Sequence, residues 1–230
     1  MTSDRPDFRY SFAGLRSTHP RRVPIRGIVL HWTGGIRPPS GVFETLRNRK
    51  GPRSPDGLSV HYVVGVDGEV VQMAPHSLVC LHASGVNEWT VGIEVVNPAY
   101  PKTAVAKLER TKRGVRRDVY TDRVRSRPIT MLDFTAAQTD ALLVHVEWLC
   151  DVLRLPRAVP TAPDGSLLRR QMSDEELASF RGVLGHFHCH STRNDPGTRI
   201  LETLRQRWLC QSRDATSDLA VSGARSRGAP

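Results

Sequence analysis

Short apolar runs alternate with longer amphipathic ones along this chain, and the two periods predict different elements. Gly27-Ile28-Val29-Leu30-His31 is an unbroken apolar run between Arg26 and the Gly34-Gly35 pair, the pattern of a short buried strand. Ser59–Val66 and Glu69–Met73 flank Asp67-Gly68, two residues that tolerate positive φ, so this stretch reads as a hairpin. Thr90–Val96 is a further β-rich run closed by Asn97-Pro98, and Val183-Leu184-Gly185-His186 reads as a strand end. Helical spacing takes over elsewhere. Pro38-Pro39-Ser40 opens a helix through Phe43, Leu46 and Arg49, and Thr135 caps one that carries Leu142, Leu143, Val146, Leu149 and Leu153 on one face. Ser173-x-x-Glu176 has the form of a capping box, and Gly197 leads into a last helix with Ile200, Leu201, Leu204 and Trp208 on one side. Strands interleaved with helices predict an α/β fold, a single domain with a mixed β-sheet and helices packed on it.

The remaining segments follow neither period. Residues 1–25 read as an N-terminal arm, loose through Arg22, leaving 26–210 as the domain proper. Residues 99–127 form a basic insertion with ten cations (Lys102, Lys107, Arg110, Lys112, Arg113, Arg116, Arg117, Arg123, Arg125, Arg127), and 156–170 a connecting loop. Residues 211–230, rich in Ser, Ala, Gly and Arg, read as a disordered basic tail. No internal repeat is visible.

Composition narrows the classes. At 230 residues and 39% hydrophobic the chain can bury a core, and no stretch approaches the run of about 20 apolar residues that spans a bilayer. Met1–Arg22 lacks an apolar h-region, so no secretory signal is expected and synthesis should be cytoplasmic. The balance of 33 basic to 23 acidic residues gives +10 and favours anionic partners, among them nucleic acid, wall polymers and anionic lipid. No aromatic-interleaved patch or reader motif accompanies the charge, so no specific nucleic acid is expected. Four scattered cysteines make no disulfide framework or Cys-x-x-Cys pair; Cys150 and Cys210 read as buried thiols, and Cys189 lies between two histidines.

Histidine carries the chemistry. Of nine, five fall beside strand ends or loops: His31, His82, His186, His188 and His190. His31 and His186 each end an apolar strand just before a turn-rich segment, which puts an imidazole at the rim of a sheet, where sheets of this class build sites. The stretch from Gly185 to Gly197 concentrates possible ligands, and a catalytic zinc takes three protein ligands and keeps one position open.

Four ordered blocks make the chain resemble the type 2 N-acetylmuramoyl-L-alanine amidases, relatives of peptidoglycan recognition proteins and phage amidase lysozymes. They are Ile28-Val-Leu-His31-Trp-Thr33; Ser59-Val-His61-Tyr62 through Asp67-Gly68; His82-Ala83-Ser84 with Val91-Gly92-Ile93-Glu94; and Gly185-His186 with Arg193-Asn-Asp195-Pro196-Gly197. The resemblance covers about residues 26–209. It implies zinc as cofactor, with His31, His186 and Asp195 as ligands and Glu94 as general base. Arg193, where the family commonly has Lys, would stabilise the oxyanion with a permanent cation of different reach. Some phage relatives use a Tyr just before the matched His61; Val60 stands here, which implies the glutamate route. His61 and Tyr62 are expected to pack or support, and His82 to touch substrate or sit behind a ligand. The implied substrate is peptidoglycan or a muropeptide, cut between the muramic acid lactyl group and L-alanine. The basic insertion would grip anionic wall polymers, and the enzyme would reach the wall after release or non-classical export. Three readings stay open beside this one. His186, His188 and His190 could share one face of a continued strand as a metal triad, with Cys189 a weaker candidate. The chain could be a non-catalytic peptidoglycan-binding module, or a basic nucleic-acid-binding protein.

Overall fold

The computed structural model describes residues 9–10, 18–51, 55–102, 117–125 and 127–225. The strands are β1 (Arg9–Tyr10), β2 (Thr18–Pro20), β3 (Gly27–Trp32), β4 (Tyr62–Val64), β5 (Val70–Gln72), β6 (Leu78–Cys80), β7 (Thr90–Val95), β8 (Val119–Val124), β9 (Arg127–Leu132) and β10 (Gly182–Gly185). The helices are α1 (Pro39–Asn48), α2 (Ala136–Val152), α3 (Asp174–Ser179), α4 (His186–Cys189) and α5 (Arg199–Arg225). Six strands form the main sheet in the order β1-β5-β4-β7-β3-β10. Four of them, β4, β7, β3 and β10, run parallel side by side, and β5 is antiparallel to β4. The sheet is mixed, as the alternation of elements predicts.

Alternation along the strands sorts side chains to two faces. Ile28, Leu30, Val91, Ile93 and Val95 enter the main core with Leu142, Val146 and Leu149 of α2 and Leu201, Leu204 and Trp208 of α5. Val29, Leu184 and Met172 lie in a second cluster with Leu177 of α3, and Val42 of α1 packs with Val63 and Val96 in a third. His31 and Glu94 take the phase of Val29, so they leave the main core and face the side that α1 only partly covers. The helix starts behave as their sequences ask. Thr135 and Ser173 each head a reciprocal capping box, with Gln138 and Glu176 respectively, and Pro39 sits in the first turn of α1.

Four boundary readings change. Residues 18–22 are not loose, because β2 pairs with β6 and the Arg21 guanidinium donates to the carbonyls of His76, Leu78 and Thr90 at 2.9, 3.0 and 2.9 Å. A polar anchor of this kind leaves no apolar period to read. At the other end, α5 continues through Arg225 past the expected break at 211, since extending a helix that is already nucleated and packed adds one hydrogen bond for each residue fixed. The end of the basic insertion is ordered: residues 119–124 pair with 127–132, which run beyond it, in the β8–β9 hairpin, whose Asp122 and Val124 are buried; residues 103–116 and 126 lie outside the described residues. Cys210 is exposed rather than buried, because it is two residues beyond Trp208 and so rotated off the stripe that α5 buries.

Candidate metal centre

The site is built at the C-terminal ends of three adjacent parallel strands. In β3 and β7 His31 is the register partner of Glu94, so the two side chains emerge side by side from neighbouring strands. Gly185 of β10 pairs with Leu30, and the strand stops there, turning into the single helical turn of α4 that begins at His186. That turn brings the His186 imidazole back over His31. Asp195 arrives from the loop beyond α4, fixed in part by Phe187 N–H donating to its carbonyl at 3.2 Å.

Three ligand atoms converge. His31 Nδ1 lies 3.0 Å from His186 Nδ1 and 3.1 Å from Asp195 Oδ2, and His186 Nδ1 lies 2.9 Å from the same oxygen. All three residues are buried. A tetrahedral ion with bonds of about 2.0–2.1 Å holds its ligands about 3.3 Å apart, so the triangle is close to one face of such a site.

Hydrogen bonds behind the triangle fix which nitrogen of His31 is bare. The Thr90 hydroxyl donates to the Val86 carbonyl at 2.8 Å, so toward His82 Nε2, 3.3 Å away, it must accept. His82 therefore carries its proton on Nε2, and its Nδ1 accepts from His31 Nε2–H at 3.1 Å. His31 Nδ1 is left with a lone pair aimed at the carboxylate and the other imidazole. Burial, with His186 adding to it against Asp195, holds the His31 pKa down at about 4, so protonation of this nitrogen does not relieve the crowding at neutral pH. Burial alone would raise the Asp195 pKa, but the His186 and His31 imidazoles beside it outweigh that and hold the group well below the usual carboxylate range. A lone pair and an anion facing each other at this distance, with only the His186 ring to supply a proton, are a donor set that fits a cation.

A cavity of about 200 Å³ opens onto the triangle, lined among others by Glu94, Arg193, Arg49, His82 and Trp32. Glu94 is partly exposed to it, yet its Oε2 is buried and has no hydrogen-bond partner among the described residues. Burial, reinforced by Asp195 and opposed by Arg49 and Arg193, pushes its pKa up to about 8. Arg193 is exposed at the cavity wall.

His188 and His190 stay out of the cluster, because β10 ends before them and the period-2 face does not exist. His188 is buried with Nδ1 accepting from Gly185 N–H at 3.0 Å and Nε2 2.7 Å from the Leu168 carbonyl, so both its nitrogens are spent on structure. His190 turns to Thr192, whose hydroxyl lies 3.0 Å from its Nδ1. Cys189 is buried with its Sγ directed to the Gly185 carbonyl at 3.9 Å, outside the converging group. His61 and Tyr62 are fully buried supports, His61 Nδ1 accepting from Gly92 N–H at 3.0 Å. Gly92 itself makes room for the relay, since a Cβ there would meet His82 Cγ at 2.6 Å. Sequence reasoning did not find Arg49. At a helix end with no motif around it, it is indistinguishable from a solvated surface charge until the fold brings it beside Glu94.

The family model for N-acetylmuramoyl-L-alanine amidase, type 2 (Amidase_2), matches residues 21–198, most of the chain. The chain belongs to that family. Its fold is that of the family's solved members. The endolysin amidase LysCS from Clostridium intestinale URNW shares 16% identity at a TM-score of 0.55, over 90% of this chain and 97% of that one. LysC from the same organism shares 15% at 0.51, over 89% and 98%. The AmiD amidase of E. coli, solved with an anhydromuramic acid tripeptide, shares 17% at 0.48; 79% of this chain aligns, spanning 56% of AmiD. A comparison with curated proteins found no match. Membership makes this chain one of the peptidoglycan amidases by family, and no helix among the described residues is long and apolar enough to cross a membrane.

Proposed function

We propose that this amidase is zinc-dependent and hydrolyses the amide between the lactyl group of muramic acid and L-alanine in peptidoglycan. One observation carries the reading: a bare His31 nitrogen, His186 Nδ1 and an Asp195 oxygen converge within 3.1 Å of one another at the mouth of a cavity lined by Glu94, whose Oε2 has no hydrogen-bond partner among the described residues. His31, His186 and Asp195 would hold the zinc. Bound there, it would lower the pKa of a water from about 16 to about 7 and polarise the scissile carbonyl.

The chain's own groups supply the rest. Glu94 Oε2, free of other partners, would take the proton of the attacking water and return it to the amine as the bond breaks. A carboxyl lifted above its ordinary range is suited to both halves of that transfer. Arg193 would face the carbonyl oxygen as it gains charge, with Arg49 adding a second positive field on the same cavity. Cations of the 99–127 segment would add affinity for anionic wall polymers.

Digestion of purified peptidoglycan with and without chelator tests this. New stem-peptide amino groups without new reducing sugars, lost on chelation and restored by zinc, are the expected result. Release of reducing ends would make the chain a glycosidase, and binding without cleavage a recognition module; either outcome contradicts the proposal.

A further inference from the structure

The hairpin at the end of the basic insertion reaches the metal centre from behind. Asp195 and Arg193 lie on a loop, residues 190–198, with no regular secondary structure. Its backbone bonds are local: Arg193 N–H to His190 O, Gly197 N–H to Asn194 O, and Asp195 O to Phe187 of α4. Distant parts of the chain also hold it: His31 meets Asp195 itself, and Arg169 donates to the Thr198 hydroxyl at 2.8 Å. Further contacts of this kind come from β8 and the turn after it. Arg125 donates through one Nη to the Arg193 carbonyl at 2.9 Å and through the other to Asn194 Oδ1 at 2.6 Å. On the other side of Asp195, the buried Asp122 accepts from Thr198 N–H at 2.6 Å and from the Thr198 hydroxyl at 2.5 Å. Gly197 is packed so closely under the hairpin that a Cβ would meet Asp122 Oδ2 at 2.9 Å and the Tyr120 hydroxyl at 3.1 Å. The hairpin thus brackets Asp195 with bonds at 193–194 and at 198 and close packing at 197.

Arg125 also holds an unusual backbone. Its φ is +58°, a region that favours glycine, and its N–H donates to the Arg169 carbonyl at 2.5 Å. An arginine in such a position, with a forked side chain that satisfies two acceptors of one loop, is placed there by what its guanidinium does.

We propose that the β8–β9 hairpin is a strap on the ligand-bearing loop, with Arg125 as its positioning residue for Asp195 and Arg193; this rests on the zinc reading above. Arg125 does not touch the triangle. It acts by fixing the loop, as groups behind metal ligands commonly do. Zinc affinity of the full chain, measured by competition with a chromogenic chelator, tests it in the parent, Arg125→Ala and Arg125→Lys. The Ala variant should bind zinc about 10-fold or more weakly, with kcat reduced and KM for a soluble muropeptide within about twofold. The melting temperature of its metal-free form should equal the parent's. Arg125→Lys, which keeps one donor, should fall between. Unchanged zinc affinity and kcat in Arg125→Ala would overturn the strap while leaving the zinc reading intact, and so would a weakening matched by an equal loss of metal-free stability. A parent that binds no zinc would overturn both.

Discussion

At His82 a single hydrogen bond decides what His31 can offer. The relay from Thr90 through His82 to His31 Nε2 orients the ring and leaves Nδ1 bare. Removing His82 frees the His31 ring to rotate and to exchange tautomers, so His82→Ala should weaken zinc binding about 10- to 100-fold. Titration against a competing chelator reads that loss, and unchanged affinity would remove His82 from the site's support. His190→Ala should leave one zinc per chain by elemental analysis, because the ring turns to Thr192 and away from the triangle. At this scale the sequence shows residue types better than partners. His31 and His186 stand out because each ends an apolar strand, and Glu94 and Asp195 because the blocks around them resemble the family's. The role of His82 stays open without the fold, since Thr90 and His31 become its neighbours only when β3 and β7 pair. Arg125 reads as one cation among ten, because nothing local distinguishes a guanidinium that grips a loop from one that is solvated.

The elements add precision that single residues lack. The capping box of α2 is tied to its surroundings at both members: the Thr135 hydroxyl donates to the Val66 carbonyl at 2.7 Å, and Gln138 Nε2 to the Val96 carbonyl at 2.8 Å. The second bond lands two residues after Glu94. Thr135→Ala should cost about 1–2 kcal/mol, lowering the melting temperature by about 2–8 °C for a chain of this size. Zinc stoichiometry should not change, because Gln138 still reaches Val96. Calorimetry beside elemental analysis separates the two effects. Helices and caps were legible because their signals are local: a polar cap, an apolar stripe, a proline at the first turn. Strand register was not. The pairing of His31 with Glu94 joins residues 63 apart in sequence, and the side chains of either strand alone do not specify it. The short strands β1, β2 and β6 were missed for a related reason, as runs of two or three residues are below any readable period.

Across the whole molecule, histidine burial sets the pH range of the fold. Burial holds the pKa of His61 and His145 down at about 3, and of His76 and His188 at about 4. The native state keeps these rings neutral while the unfolded chain protonates them near pH 6.5, so as pH falls below that value the unfolded state binds more protons and stability drops. Each such ring contributes a slope of about 1.4 kcal/mol per pH unit, and four together about 5 kcal/mol per unit near pH 5. Against a typical total of about 5–15 kcal/mol, that removes a large share of the stability between about pH 6.5 and pH 4. Urea midpoints at pH 7, 6 and 5 should fall steeply, and a flat series would contradict the buried neutral set. Zinc bound only by the native state should raise the melting temperature in proportion to the logarithm of its concentration.

The central claim is a division of labour, in which the triangle holds metal and Glu94 moves the proton. Metal content and turnover measured together on Glu94→Gln, with Asp195→Ala beside it, test it most directly. Glutamine keeps the shape of the side chain but cannot take a proton. Glu94→Gln should retain one zinc per chain and lose turnover by a factor of about 10² to 10⁴, whereas Asp195→Ala should lose the metal itself. A Glu94→Gln enzyme as active as the parent, or one that no longer binds zinc, would contradict the account.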